Sequence, residues 1–432
     1  MYKFETFKNE YLDEEISKIV LKNGLEVYIC SKKGYNKKIG LFGTKYGSII
    51  NDFVDIKTNE RIKVPDGIAH FLEHKLFEQE GANALDLFAK IGVSSNAYTS
   101  FDQTVYYFET IERFKESVEL LIKLVKTPYF TDENVNKEQG IIAQEISMYD
   151  DNPMFNVYFN ALRAIYNTHP IRIDVAGTIE SIQSINKDLL YTCYNTFYNP
   201  SNMFFIVIGD VDKEETIKLI EDNIKIYEKD YDNAKVKDIT KYFEEEKDSV
   251  QEKIIKKEMD IYMSQLCIGY KLPVVKGNEI VKRQVIADFI SEMFFSKLTN
   301  FFKEQYELGL IYEPINFEYE GSDSFAHVLL SAGSMDIEIL KNNILNYINN
   351  IKNSNIDEEM FNIIKKMKIG ESILSSENLN NSYRRIIDSI VDNITLYEDV
   401  SLLNSITKED IKEFLNNLKE ETQVISIITN IK

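Results

Sequence analysis

Apolar positions along this chain recur with two different periods. Short runs at residues 25–30, 39–44, 104–108 and 203–208 are rich in β-branched and aromatic residues and read as strands, the last of them as a buried one. Apolar positions three and four apart at residues 114–126, 214–227 and 336–353 read as amphipathic helices. The succession then repeats: strands near 250–255 and 261–270, a helical stretch over 278–306, and a closing strand at 424–429 that echoes 203–208. Between the two copies, residues 230–248 are polar and contain Glu244-Glu245-Glu246. The expected organisation is an N-terminal domain over 1–230, an acidic linker over 231–248 and a C-terminal domain over 249–432. Two domains of roughly 200 residues each are what a chain of this length needs to bury its apolar residues.

One helix stands out because its polar positions are unusual ones. In His70-Phe71-Leu72-Glu73-His74, spacings of three and four residues put His70, Glu73, His74 and Phe77 on one face, with Asp66 in position to cap the start. Ile68, Ala69, Phe71, Leu72 and Leu76 cover most of the remaining circumference, so the helix is expected to be buried on several sides. Buried imidazoles need partners, which either hydrogen bonds in a core or a bound divalent cation could supply. Zinc is the usual cation for histidine and carboxylate ligands, and a hydrolytic site needs a third protein ligand from another element.

Residues 132–148 read as a second helix, capped by Thr131, with Ile141, Ile142, Ile146 and Met148 as its apolar members. Glu138 and Glu145, seven residues apart, share the side of Ile141 and Ile142 and so face inward. Gly140 between them costs a helix roughly 1 kcal/mol relative to alanine, which suggests that another backbone comes close there.

Composition narrows the functional classes. With 50 basic against 70 acidic residues the net charge is −20, which disfavours nucleic-acid binding. No apolar run approaches the ~18 residues of a membrane span, and residues 1–18 lack the apolar core of a signal peptide. Cys30, Cys193 and Cys267 lie far apart and without metal-pair spacing, which points to a reducing compartment, most simply the cytoplasm.

The order His-x-x-Glu-His is the inverted zinc motif. Together with Gly67 to Glu78, Asn96-Ala97-Tyr98-Thr99-Ser100-Phe101-Asp102, Glu138 with Glu145, His169-Pro170, Ala176-Gly177-Thr178, Tyr198-Asn199-Pro200-Ser201-Asn202-Met203 and Gly209-Asp210-Val211-Asp212, it resembles the pitrilysin, insulinase and mitochondrial processing peptidase family, particularly its bacterial half-length members. The resemblance implies an α+β fold of two homologous domains, each a mixed sheet covered by helices on one side. It implies one Zn2+ per chain held by His70, His74 and Glu145, with Glu73 activating water as general base and Glu138 supporting the ligands. It further implies that Asn96, Ala97, Tyr98 and Thr99 form an edge that receives peptide substrate as an added strand. It also implies a dimer, either of two such chains or of this chain with an inactive paralogue, acting on a peptide substrate. The expected function is therefore zinc-dependent endopeptidase action on short or unfolded peptides, with a non-catalytic scaffold subunit as the alternative. One departure is visible: many members carry Arg-Gly-Leu-x-Tyr, and here the stretch is Leu308-Gly309-Leu310-Ile311-Tyr312, so Tyr312 stands as a substrate-binding candidate without its arginine.

Overall fold

The computed structural model describes residues 2–9, 12, 14–228, 231 and 239–431. Its strands form two large sheets. The first takes β1 (Glu5–Asn9), β2 (Glu14–Val20), β3 (Glu26–Ser31), β4 (Lys38–Thr44), β5 (Ser94–Thr99), β6 (Thr104–Thr110) and β7 (Met203–Gly209), in the order β1-β2-β3-β7-β4-β6-β5. The second takes β8 (Ile254–Met259), β9 (Ser264–Lys271), β10 (Asn316–Gly321), β11 (Ala326–Ser334) and β12 (Gln423–Asn430), in the order β8-β12-β9-β11-β10.

The repeat anticipated from sequence is a repeat of topology. In the first sheet β7 runs parallel to β3 and antiparallel to β4, which pairs with β6, which pairs with β5. In the second, β12 runs parallel to β8 and antiparallel to β9, which pairs with β11, which pairs with β10. The closing strands are apolar on both faces because both are interior strands: every residue of Met203–Gly209 is buried.

Helices cover both faces of each sheet, which corrects the one-sided layering expected above. On one face of the first sheet lie α1 (Ile68–Phe77) and α2 (Phe114–Lys126), where Phe77 meets Tyr106 and Phe114 meets Phe108. Over the other face of β7 lies a helix from far along the sequence. It is α8 (Leu379–Val391), which follows α3 (Asp132–Asp150), α4 (Pro153–Ile165), α5 (Lys213–Tyr227), α6 (Asn278–Ile290) and α7 (Ile337–Asn353). Ser382 of α8 donates to Glu14 on β2 at 2.6 Å, and Glu14 also pairs with Lys32 at 2.8 Å. The mirror arrangement holds in the second sheet, where Ile165 of α4 packs on Gly269 of β9, while α6 and α7 bury the opposite face around Leu266, Ile268 and Leu340.

The two compact units each combine separated stretches of the chain. The first combines residues up to Ile146 with Asp174–Tyr242 and Ser375–Val391; the second combines Ser147–Ile173, Phe243–Leu374 and the residues from Asp392 onward. The boundary at Tyr242 and Phe243 falls inside the stretch expected as linker, of which residues 232–238 lie outside the described residues. Glu246 in that stretch is not merely solvated. It accepts the backbone N–H groups of Asn167, Thr168 and His169 at 2.8–2.9 Å and the ammonium of Lys271, and these bonds hold its carboxyl far below the ordinary range against the cost of burial.

The entry to α1 depends on a glycine. Gly67 has φ +85°, and a Cβ there would come 2.3 Å from the carbonyl oxygen of Ala176, while Gly177 packs back on Asp66. Two separated sequence motifs meet backbone to backbone at this point. Gly67→Ala is expected to lose about 1–2 kcal/mol from the left-handed conformation alone, with the contact adding to it. A lower urea midpoint at unchanged m-value would bear this out, and an unchanged midpoint would refute it. Asp66, the anticipated cap, instead accepts Asn51 at 2.7 Å, and α1 starts without a side-chain cap.

Candidate metal centre

Helix α1 forms because it is apolar nearly all round: Ile68, Ala69, Phe71, Leu72 and Leu76 are buried, and only the face carrying His70 and His74 is half open. Helix α3 is started by Thr131, whose hydroxyl accepts the Asn134 N–H at 3.1 Å while its own N–H reaches the Asn134 side chain. Ile142 and Ile146 anchor α3 inward, whereas Ile141 and Met148 are exposed, contrary to their assignment as core members. Among the described residues outside its own helix, nothing lies within 4 Å of where a Cβ on Gly140 would stand, and the glycine lies on the exposed side of α3.

The two helices bring His70, His74 and Glu145 together, with ligating atoms all within 4.8 Å of one another; among the described residues this is the one such group. His70 Nε2 lies 3.8 Å from one carboxylate oxygen of Glu145, and His74 Nε2 lies 3.7 Å from the other. Both gaps are too long for hydrogen bonds. They are short enough for one cation bonded to each partner at roughly 2.0–2.2 Å.

The surroundings fit a cation. Burial, aided by the neighbouring His74, pushes the His70 imidazole down to about 3, so it is neutral with a lone pair to give, and its buried Nδ1 has no hydrogen-bond partner among the described residues. His74 Nδ1 is 3.0 Å from Glu138 Oε1, which orients its Nε2 toward Glu145. Burial works against protonated His74, but the Glu138 hydrogen bond and the charges of Glu73, Glu138 and Glu145 outweigh it and raise its pKa: the cluster attracts positive charge. Glu138 in turn meets Lys75 Nζ at 3.4 Å, and the Lys75 side chain, fully buried, also pairs with Glu78. Glu138→Gln is expected to weaken metal binding by roughly 10–100-fold, as loss of a partner behind a ligand generally does. A competitive chelator titration measures it; an unchanged dissociation constant would contradict the assignment.

Glu73 is buried at 7% exposure on the same face of α1. Burial raises its carboxyl above the ordinary range, partly offset by a 2.7 Å hydrogen bond from the Thr99 hydroxyl and by the charge of His74. Thr99, expected on the substrate-binding edge, turns its side chain to Glu73. The other members of that run lie on β5, which ends its sheet with β6 as its pairing partner. Register places Ala97 and Thr99 on the α1 face and Asn96 and Tyr98 on the opposite face. Tyr312 belongs to the second unit and is 60% exposed on the bend before β10.

Two contacts escaped sequence reasoning. Nothing in the spacing links Thr99 to Glu73, 26 residues away. Lys75 did carry a signal, a lone cation among the apolar positions of α1.

A mixed-sheet repeat with a His-x-x-Glu-His helix and a carboxylate from a neighbouring helix describes the inverted-motif class of metallopeptidases. Residues 58–178 match the family model described as Insulinase (Peptidase family M16), and residues 184–368 match the one described as Peptidase M16 inactive domain. The chain belongs to the M16 peptidase family. A Bacillus subtilis (strain 168) protein named uncharacterized zinc protease YmfH is 38% identical over 422 residues, 95% of either chain. The crystal structure of an M16-like peptidase from Alicyclobacillus acidocaldarius superposes with a TM-score of 0.89 at 29% identity, covering 100% of this chain and 99% of that one. Pitrilysin shares the fold at a TM-score of 0.72 and 16% identity, over 99% of this chain and 47% of its own. This membership, with relatives named zinc proteases, supports a peptidase role. No helix among the described residues is long and apolar enough to cross a membrane.

Proposed function

We propose that the chain is a zinc-dependent endopeptidase that cleaves short or unfolded peptides, with His70, His74 and Glu145 holding one Zn2+ and Glu73 as the general base. The observation that carries this reading is the convergence of two imidazole nitrogens and a carboxylate from α1 and α3 within 4.8 Å. Zinc bound there supplies a Lewis acid that polarises water and the scissile carbonyl. Glu73, buried one turn from His70 and adjacent in sequence to His74, takes the proton from the attacking water and returns it to the leaving amine. Glu138 keeps His74 in the tautomer whose Nε2 lone pair faces the cation.

Substrate adds as a strand to the free edge of β5, where main-chain hydrogen bonds hold the peptide regardless of most side chains. Chains already folded cannot present such a strand. The protein works as a dimer, of two copies or with an inactive paralogue. Its three cysteines, all free and buried, suit the reducing cytoplasm.

A digest of an internally quenched peptide by the zinc-loaded protein tests the reading. Hydrolysis is expected, with cleavage suppressed when alternate peptide amides are N-methylated. Cleavage of a folded protein at comparable rate, or indifference to N-methylation, would argue against strand addition.

A further inference from the structure

We infer that Thr99 is a positioning residue for the general base rather than a substrate contact: its hydroxyl fixes the Glu73 carboxylate in the orientation that proton transfer requires. The inference rests on the peptidase reading above and assigns the last residue of β5 to the catalytic side of the strand.

The Thr99 hydroxyl lies 2.7 Å from Glu73 Oε2 and 3.3 Å from the Thr104 hydroxyl. Thr104 commits its own proton to the carbonyl of Tyr46 at 2.9 Å. Thr99 has one proton to give, and the shorter, charge-assisted contact with the carboxylate takes it. Its direction is thus set by neighbours that do not belong to the metal cluster.

The donor is also held rigidly. Thr99 pairs across the ladder with Thr104, and the next residue closes the hairpin through the Ser100 N–H to the Gln103 carbonyl. Strand alternation turns the hydroxyl to α1 and away from the face of Asn96 and Tyr98. One oxygen of Glu73 is therefore occupied before substrate arrives, and the other is left to accept a proton. A free carboxylate on a buried helix face would sample several rotamers, and catalysis is sensitive to displacements of that size. Because β5 is also the edge proposed to receive peptide, the same strand aligns substrate with its backbone and the base with its last side chain.

The test compares Thr99→Val, Thr99→Ala and Thr99→Ser with the wild type on an internally quenched peptide, alongside zinc stoichiometry and binding of the peptide to chain carrying Glu73→Gln with and without each change. Loss of a hydrogen bond to a charged group predicts a roughly 10–100-fold fall in kcat for Val and Ala. KM, zinc content and peptide affinity are expected to stay unchanged, and Ser is expected to restore kcat. A raised KM with kcat retained would return Thr99 to substrate binding and overturn the inference, as would Ser behaving like Val. If Thr99→Val fails to fold, the Ala and Ser pair decides by the same criteria. A wild-type protein that binds zinc yet hydrolyses nothing would instead defeat the peptidase reading itself.

Discussion

Glu73→Gln is expected to reduce peptide hydrolysis by about 10²–10⁴-fold, the range that general base catalysis supplies, while leaving one zinc per chain. The substitution keeps the shape of the side chain and the partner of Thr99, whose hydroxyl can donate to the amide oxygen as it does to the carboxylate. It removes only the ability to take a proton. Glu73 is buried, so its replacement by a neutral group of equal size also removes a desolvation cost, and the variant is expected to be at least as stable as the wild type. Activity, metal content and thermal stability should therefore separate: the first collapses and the other two hold. Retention of turnover, or loss of zinc together with turnover, would show that Glu73 is not the base.

Glu145→Ala is the second large effect. Its contacts toward α1 are His70 Nε2 and His74 Nε2 at 3.8 and 3.7 Å, beyond hydrogen-bond reach, and its side chain is partly exposed. A residue placed so contributes little to the metal-free fold, and the metal-free variant should match the wild type within about 0.5 kcal/mol, as surface changes usually do. Zinc affinity should fall by more than the roughly 10–100-fold that a supporting residue costs. Zinc stabilises the native state by mass action, so the rise in Tm on adding zinc to the wild type should vanish in the variant. If the variant melted early without metal, Glu145 would be a structural residue. If it kept the zinc-dependent rise, another group would hold the third position.

The parts of this account that were legible in the sequence are those determined by short-range spacing. Helical periodicity brings His70, Glu73 and His74 to one face of α1 and turns Glu138 and Glu145 to one side of α3, and both helices form where the pattern indicated. The closing strands at 203–208 and 424–429 were legible because interior strands are apolar on both faces. Periodicity says nothing of which sheet an amphipathic helix joins. Hence α4 and α8, each packed on the sheet that the other half of the sequence mostly builds, were beyond it. The hairpin of β1 and β2 was hidden by its charges, which suit strands at a sheet edge. The helix expected over 278–306 is broken after Ile290 by a wide π turn, Ser291–Phe295, that carries Met293 and Phe295 into the core.

Gly140 and Thr99 show from opposite sides what spacing alone leaves out. Gly140 lay between two inward-facing acids and suggested a close backbone, yet it sits on open surface, where nothing opposes the weakening of the helix. Thr99 entered the sequence reading only as part of an edge strand, yet its hydroxyl meets Glu73 at 2.7 Å. Side chains that act through a partner become visible only when register is known.

Anomalous diffraction at the zinc edge on crystals of the zinc-loaded protein tests the central claim most directly. One strong peak is predicted, bonded to His70 Nε2, His74 Nε2 and a Glu145 oxygen at about 2.0–2.2 Å. Zinc bound elsewhere, or a peak on the imidazoles with Glu145 turned away, would contradict it.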